Sequence, residues 1–196
     1  MSMAIILLAA GSSSRLGQPK QLLQYQGQTL LRRAAETAVT AAAGTPVVVV
    51  TGALHEELLP ELAGLLVQTV RCHTWQLGMG ASLKTGLAAL ENKGPALHSV
   101  LVMLCDQPFV TPTLLQQLLT AHNTTGQPIV AAQYGEVRGV PVLFGAEALP
   151  LLHQLPDAAG ANQLLKQHPQ LVATVPFPEG AIDVDTPEQY AALLAK

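Results

Sequence analysis

The chain has 196 residues, enough for one α/β domain with a complete hydrophobic core. Charged residues make up 12% of it, about half the usual share. The net charge of −3 and the lack of a basic run argue against a nucleic-acid-binding surface. No apolar stretch approaches the ~18 residues that a membrane span requires, and no basic segment like that of a signal peptide precedes the apolar N-terminal run. Because Cys72 and Cys105 do not provide a disulfide framework, we expect a cytoplasmic protein without a membrane partner.

Short apolar runs alternate with helix-like segments along the chain. The segments with the composition of strands are Ala4–Ala10, Pro46–Thr51, Ser99–Cys105, Pro128–Ala132 and Val140–Phe144. The segments typical of helices begin near Gln28 and span His55–Val67, Ala81–Leu90, Thr111–His122 and Pro187–Ala195. We expect Thr111 and Thr186 to cap the last two helices, each with a proline at the first helical position. This alternation predicts an α/β fold with three layers and a mostly parallel, Rossmann-like sheet.

The segment Ala4–Lys20, AIILLAAGSSSRLGQPK, has the features of a nucleotide phosphate site. Gly11 and Gly17 let the backbone turn where a side chain would obstruct it. Successive backbone N–H groups can then point at an anion, and the hydroxyls of the serines add further donors. These serines are Ser12, Ser13 and Ser14.

Two cations in the same segment, Arg15 and Lys20, supply the positive charge that a polyphosphate requires. The spacing matches neither G-x-x-x-x-G-K-S/T nor G-x-G-x-x-G, the two common phosphate-binding patterns. An ordinary strand-to-helix turn with surface cations is therefore the alternative interpretation of this segment.

Three of the four aspartates follow predicted strands, at the edge where ligands bind in open α/β sheets. Asp106 comes directly after the apolar run Ser99–Cys105, and Asp183 and Asp185 follow Ala181–Ile182. Two carboxylates that converge on phosphates match the ligand preference of Mg²⁺, with water completing the octahedron. The alternative is a solvated turn, since Asp before Pro is common in turns.

Another glycine-containing stretch, Trp75–Leu87, precedes and opens a predicted helix. Gly78 and Gly80 lie before the helix, and Ser82 lies in its first turn, where backbone N–H groups lack helical partners. A plain helix start is the alternative interpretation.

Together, the residues from Leu8 to Leu23 form the pattern L-A-A-G-x-S-x-R-x-G-x-x-K-x-L-L. This pattern closely resembles the signature of the MobA-like nucleotidyltransferases, and in particular of the molybdenum cofactor cytidylyltransferases. The resemblance implies a fold like that of the nucleotide-diphospho-sugar transferases. It also implies one nucleotidyltransferase domain over residues 1–196, in which the N-terminal part binds the nucleotide and residues of about 133–170 bind the acceptor.

The resemblance also implies roles for individual residues. Asp106 of a C-D-x-P segment and Asp185 of a D-x-D-T-P segment would bind Mg²⁺, and Asp183 is the weaker candidate. Arg15 and Lys20 would act with Asp106 in catalysis. The implied nucleotide-binding residues are Leu8, Ala9, Ala10, Gly11, Ser12, Ser13, Gly17 and Ser82. Of these, Ser82 and the backbone of Ala9 and Ala10 would read the base, and L-A-A-G rather than L-A-G-G points to cytidine.

The acceptor half resembles the family more loosely. Gly139–Pro141 stands where cofactor-transferring relatives have G-H-P, so Val140 replaces the histidine. The later pattern G-D-x-G-A-R is kept in part, with Asn162 in place of the arginine. Two side chains that could hold an anionic acceptor are thus replaced, which leaves the identity of the acceptor open.

The expected reaction is transfer of CMP from CTP to the phosphate of molybdopterin, with release of pyrophosphate. A molybdoenzyme is a further expected partner. A sugar phosphate or an alditol phosphate is an alternative acceptor. A cofactor-binding accessory protein without turnover is the alternative from another functional class.

Overall fold

The computed structural model describes residues 3–12, 17–92 and 96–195. Within these ranges the chain forms nine strands and seven α-helices. The strands are β1 Ala4–Ala9, β2 Gln24–Tyr25, β3 Gln28–Thr29, β4 Val47–Thr51, β5 Gln68–Arg71, β6 Ser99–Leu104, β7 Ile129–Tyr134, β8 Val137–Gly145 and β9 Val172–Pro176. The helices are α1 Leu30–Ala42, α2 His55–Leu62, α3 Met79–Glu91, α4 Pro112–Thr125, α5 Leu149–His153, α6 Ala161–Gln167 and α7 Pro187–Leu194.

Seven strands form one sheet in the order β5-β4-β1-β6-β8-β7-β9, while β2 and β3 form a separate small hairpin. β1 lies between β4 and β6 and runs parallel to both. β8 is antiparallel to both of its neighbours, β6 and β7. Its direction follows from the short turn at Gly135, whose φ is +60°, because a tight turn can join antiparallel neighbours but not parallel ones. The predicted mostly parallel sheet is confirmed.

Helices cover both faces of the sheet. Leu31 of α1, Leu58 of α2 and Leu115 of α4 belong to the buried cluster on one face. Helices α3, α5 and α6 bury their leucines in the cluster on the other face. Since β1 is buried on both faces, its composition is continuously apolar rather than alternating. The predicted three-layer arrangement is confirmed.

Most predicted elements are confirmed, and the differences have clear physical reasons. Thr111 caps α4, where its side chain accepts a hydrogen bond from Leu114 N at 3.2 Å, and Thr186 caps α7. β5 and β9, the two edge strands, were not predicted, because neither contains a continuous apolar run. The helix predicted over His55–Val67 ends instead at Leu62, just before Gly64 adopts a positive φ of +79°.

Within the described ranges, no helix is long and apolar enough to cross a membrane.

We predict that Thr111→Ala lowers the free energy of unfolding by about 1 kcal/mol, because it removes the side-chain cap of α4. Urea denaturation followed by circular dichroism measures this change. Thr120→Ala, on an exposed site of the same helix, is the matched control and should change the free energy by no more than ~0.5 kcal/mol. Equal effects of the two substitutions would show that the cap does not stabilise α4.

Candidate functional site

A cavity of about 310 Å³ lies where β1 and β6 end at the same edge of the sheet. Four parts of the chain form its walls: Leu8–Ser12, Lys20 with Gln21, a group around α3 (Trp75, Gln76, Gly78, Met79 and Ser82), and Leu104–Asp106. The structure therefore brings together most of the residues predicted to bind the nucleotide. The cavity lies outside the carboxyl ends of parallel strands, which is the usual ligand position in such sheets.

An ammonium group joins the two predicted metal ligands beside this cavity. Lys20 Nζ lies 2.5 Å from Asp106 Oδ2 and 2.9 Å from Asp185 Oδ1. Asp106 follows β6, and Asp185 comes from the segment that leads into α7. Lys20 was predicted to face phosphates, whereas the structure places its ammonium between the two carboxylates.

The electrostatics of this cluster favour its charged form. Burial alone would lower the pKa of Lys20, but the charge of Asp106 and hydrogen bonds to Asp106 and Asp185 raise it above its ordinary value. Lys20 is therefore cationic at neutral pH. Burial raises the pKa of the neighbouring Asp183, and the charges of Asp185 and Asp106 raise it further.

The carboxylates offer a divalent cation a partial set of ligands. Asp106 is 6% exposed, and its Oδ1 atom has no hydrogen-bond partner among the described residues. In the described part of the chain, no group of three or more His, Cys, Asp or Glu side chains is arranged to hold a metal. A hard cation at Asp106 and Asp185 would therefore take its remaining ligands from phosphate and water, as Mg²⁺ commonly does.

Gln189 holds the segment that carries the second carboxylate. Its Oε1 accepts hydrogen bonds from Asp185 N at 2.8 Å and Thr186 N at 2.9 Å. Its Nε2 donates to Asp183 Oδ1 at 2.9 Å. Together with the cap by Thr186, these contacts form a capping box at the start of α7. Asp183 is thus engaged in bracing the turn, and Asp185 is left facing Lys20.

Further hydrogen bonds tie this segment to the end of β6 and to β8. Val184 N donates to the backbone oxygen of Asp106 at 3.1 Å. Gln107 Nε2 donates to Val140 O at 3.0 Å and to Gly180 O at 3.4 Å, which connects β8 with the segment before Asp185. The separation of the two carboxylates is therefore set by backbone contacts as well as by the ammonium.

Gln21 fixes the backbone that follows β1. It is 1% exposed, and its Nε2 donates to Ala9 O at 3.1 Å and Gly11 O at 2.7 Å. The backbone oxygen of Ala10 accepts from Ala53 N at 3.5 Å. All three backbone oxygens at this turn are thus engaged. The sequence analysis missed Gln21, because a single glutamine beside Lys20 belongs to no periodic or charged pattern.

The start of α3 is tied to the predicted acceptor half. Gly80 N and Ala81 N donate to the backbone oxygen of Asp157 at 2.9 and 3.3 Å. Lys84 Nζ also lies 2.5 Å from Asp157 Oδ1. These amide groups of α3 therefore hold the loop at Asp157. A Cβ on Gly80 would meet backbone oxygens of that loop, so this close approach requires glycine.

Ser82 is a buried polar residue in the cavity wall. Burial works to raise the pKa of the Cys72 thiol, but hydrogen bonds with Thr85, Thr74 and Ser82 hold it below its ordinary value. Cys105, which also lines the cavity, has its pKa raised to about 12 by burial and by the charge of Asp106. Cys105 is therefore a neutral part of the wall at physiological pH.

Some predicted site residues are not placed at the cavity. Ser13, Ser14 and Arg15 lie outside the described residues. Gly17 is exposed and has a φ of +73°, a conformation that favours glycine, but it does not line the cavity. Met79 lines the cavity beside Ser82.

Residues 5–172 match the family model described as the MobA-like NTP transferase domain. The chain belongs to this family. The prediction made from the Leu8–Leu23 pattern is confirmed. The match to the MobA-like family includes Asp106 and the whole cavity wall, while Asp185 lies beyond its end.

Three curated relatives resemble the chain over nearly its full length. A nicotine blue oxidoreductase of Paenarthrobacter nicotinovorans is 36% identical, over 96% of this chain and 95% of that protein. A probable molybdenum cofactor guanylyltransferase of a Nostoc species is 26% identical, over 98% of this chain and 90% of the relative. The molybdenum cofactor cytidylyltransferase of Escherichia coli is 23% identical, over 94% and 92% of the two chains.

A solved structure has the same fold. The structure of Rv0371c of Mycobacterium tuberculosis in complex with manganese matches this chain with a TM-score of 0.77 and 26% identity, covering 100% of both chains.

We predict that Gln189→Ala accelerates backbone amide hydrogen exchange at Asp185 and Thr186 by about fivefold, because each amide loses an acceptor worth ~1 kcal/mol. NMR of the uniformly labelled protein measures these rates. Gln117→Ala, on the exposed face of α4, is the matched control and should leave them unchanged. Unchanged rates in Gln189→Ala would contradict the bracing role of this side chain.

Proposed function

We propose that the protein is a Mg²⁺-dependent nucleotidyltransferase that moves CMP from CTP onto the phosphate of molybdopterin and releases pyrophosphate. The observation that carries this proposal is the meeting of Lys20, Asp106 and Asp185 beside a cavity of about 310 Å³. Membership of the MobA-like NTP transferase family supports the reaction class.

The proposed reaction needs no covalent intermediate on the protein. An oxygen of the acceptor phosphate attacks the α-phosphorus of CTP. The bond between that phosphorus and the bridging oxygen of the β-phosphate breaks, and pyrophosphate leaves with the electron pair. The protein contributes by positioning both substrates and by stabilising the charge that develops. Lys20 is suited to the second task, because its flexible ammonium can follow the departing pyrophosphate.

Asp106 and Asp185 are the proposed holders of the metal. When bound, Mg²⁺ would neutralise phosphate charge and act as a Lewis acid. The unpartnered Oδ1 of Asp106 and the hard oxygen donors of both side chains fit such a cation. The manganese complex of Rv0371c supports a divalent cation on this fold.

The contacts around Ala9–Gly11 favour cytosine as the base. Because Gln21 already donates to Ala9 O and Gly11 O, fewer backbone acceptors are left to read a base. Guanine presents two adjacent donors on its pairing edge, whereas cytosine presents two acceptors and one donor. Ser82 lines the cavity, and its hydroxyl can donate to an acceptor of cytosine.

Molybdopterin is proposed as the acceptor because the Nostoc and Escherichia coli relatives are both named for the molybdenum cofactor. The replacements at Val140 and Asn162 leave a sugar phosphate or an alditol phosphate as alternative acceptors. A non-catalytic accessory role is less well supported, because a protein that only binds the cofactor needs no second carboxylate opposite Asp106.

Oxidation or reduction of a small aromatic molecule is a second candidate function. It is favoured by the 36% identity to nicotine blue oxidoreductase, which exceeds the 23% identity to the cytidylyltransferase. Reduction of the substrate requires a hydride donor in the cavity, such as a reduced nicotinamide nucleotide, and its oxidation requires the oxidised form as acceptor. The cluster of one ammonium and two carboxylates serves phosphate transfer better than hydride transfer, which is why we place nucleotidyl transfer first.

Pyrophosphate release in the presence of Mg²⁺, molybdopterin and either CTP or GTP tests the proposal. We expect kcat/KM for CTP to exceed that for GTP by at least about tenfold, equivalent to ~1.4 kcal/mol. A preference for GTP would overturn the choice of base and keep the reaction class. Oxidation of a reduced nicotinamide nucleotide by an aromatic substrate, without pyrophosphate release from either nucleotide, would favour the redox candidate.

We predict that Asp106→Asn keeps the fold and lowers kcat by about 10²-fold or more, as is usual for loss of one preorganised electrostatic group. Steady-state pyrophosphate release measures kcat, and circular dichroism checks the fold. Glu91→Gln is the matched control, since Glu91 pairs with His153 at the other end of α3 from the cavity. Near-normal turnover of Asp106→Asn at ordinary Mg²⁺ concentrations would refute the metal-binding role.

A further inference from the structure

The ammonium of Lys20 lies in the position where a cation shared by Asp106 and Asp185 would lie. It contacts one oxygen of each carboxylate, at 2.5 and 2.9 Å. The Oδ1 atom of Asp106 stays open to a divalent cation, but a cation bound between the same two side chains would repel the ammonium at this position. The ammonium and the metal therefore compete for the negative charge of the same carboxylate pair.

We propose that Lys20 and the divalent cation exchange at the carboxylate pair. Without nucleotide, the ammonium holds Asp106 and Asp185 together. When the triphosphate and its cation enter, Lys20 leaves the two carboxylates, which would then hold the cation, and turns to the phosphates. This inference rests on the proposed function, because it assumes that a nucleoside triphosphate occupies the cavity.

The position of Lys20 allows this movement. Lys20 starts a short 3₁₀ turn, Lys20–Leu22, and its side chain lines the cavity. Its side chain is 19% exposed, so it is partly open to solvent on the side of the cavity. A lysine has a long flexible stem and a compact charge, and it can change partners without the two-point geometry that arginine requires. A rotation of the side chain brings the ammonium from the carboxylates toward the cavity.

The charges at the site explain why Lys20 pairs with the carboxylates before the nucleotide binds and with the phosphates afterwards. Two carboxylates brought together repel each other, and an ammonium between them offsets this repulsion. A divalent cation at the same position supplies twice the charge, so Lys20 is no longer needed there. The triphosphate meanwhile presents a dense negative charge in the cavity, which becomes the better partner for the ammonium. The brace by Gln189 and the backbone bond from Val184 to Asp106 keep the carboxylates in place during the exchange.

Three alternative roles of Lys20 predict different effects of its removal on the metal affinity of the nucleotide-free protein. If Lys20 competes with the cation, its removal raises the affinity. If it acts solely as a phosphate ligand, its removal leaves the affinity unchanged. If its main task is to hold the carboxylates in a metal-ready geometry, its removal lowers the affinity. Metal binding without nucleotide therefore separates the exchange from both simpler roles.

The test is titration of the nucleotide-free protein with Mn²⁺, with free Mn²⁺ followed by electron paramagnetic resonance. We expect Lys20→Met to bind Mn²⁺ about tenfold more tightly than the unchanged protein, a coupling within the range usual for linked sites. Lys84→Met is the matched control, since Lys84 also pairs with an aspartate at 2.5 Å, but away from the carboxylate pair. It should leave the Mn²⁺ affinity unchanged.

Two further variants and a nucleotide analogue test whether tighter Mn²⁺ binding comes from loss of the ammonium at the carboxylate pair. Lys20→Gln, with a neutral polar side chain, should show the same tightening as Lys20→Met, and thermal unfolding shows that both are folded. Asp106→Asn combined with Lys20→Met should abolish the tightening. An α,β-methylene analogue of CTP should tighten Mn²⁺ binding to the unchanged protein by a larger factor than to Lys20→Met, because the ammonium has already been removed from the variant.

Equal or weaker Mn²⁺ binding by both folded Lys20 variants would overturn the exchange, as would the absence of Mn²⁺ binding by any of the proteins. Failure of the proposed function is seen separately, as the lack of pyrophosphate release from CTP by the unchanged protein. Tightening of Mn²⁺ binding in Lys20→Met together with no CMP transfer would support the exchange and reject the proposed reaction.

Discussion

The contact of one ammonium with two carboxylates is the interaction on which the candidate site depends. Lys20 follows the glycine segment after β1, Asp106 follows β6, and Asp185 precedes α7. Three segments that are distant in sequence therefore meet at one charged cluster beside the cavity. Two carboxylates this close to each other require a cation, and the same requirement makes them suitable for a metal that accompanies phosphates.

The sheet explains why these segments can meet. β1 lies between β4 and β6, so the backbone after β1 and the backbone after β6 reach the same edge. Side-chain amides then fix the irregular backbone there: Gln21 at the glycine turn, Gln107 between β8 and Gly180, and Gln189 at the turn before α7. Glutamine suits this task because one amide can donate and accept without adding charge beside the carboxylates.

The sequence predicts which strands are buried and which charged residues lie at the candidate site. It does not predict which side chains those charged residues contact. β1 and β6 are recognisable because strands buried on both faces are continuously apolar, whereas the edge strands β5 and β9 carry no such signal. Asp106 was predicted from its place after β6. Asp185 was predicted from an expected strand at Ala181–Ile182, where the structure instead has a 3₁₀ turn, Pro178–Ala181. The partner of Lys20 was not predicted, because a long flexible side chain can reach either phosphate or carboxylate. The amide braces were missed because single glutamines form no pattern, although Gln189 stands at the fourth position of a capping box.

Pyrophosphate exchange tests most directly the claim that this cluster is a centre for nucleotidyl transfer without a covalent intermediate. Radiolabelled pyrophosphate is added to the protein with CTP, Mg²⁺ and molybdopterin, and the label in CTP is measured. We expect label to enter CTP when the acceptor is present and not to enter when the acceptor is omitted. Label in CTP without acceptor would reveal a nucleotidyl-protein intermediate, and no label under either condition would contradict the proposed transfer itself.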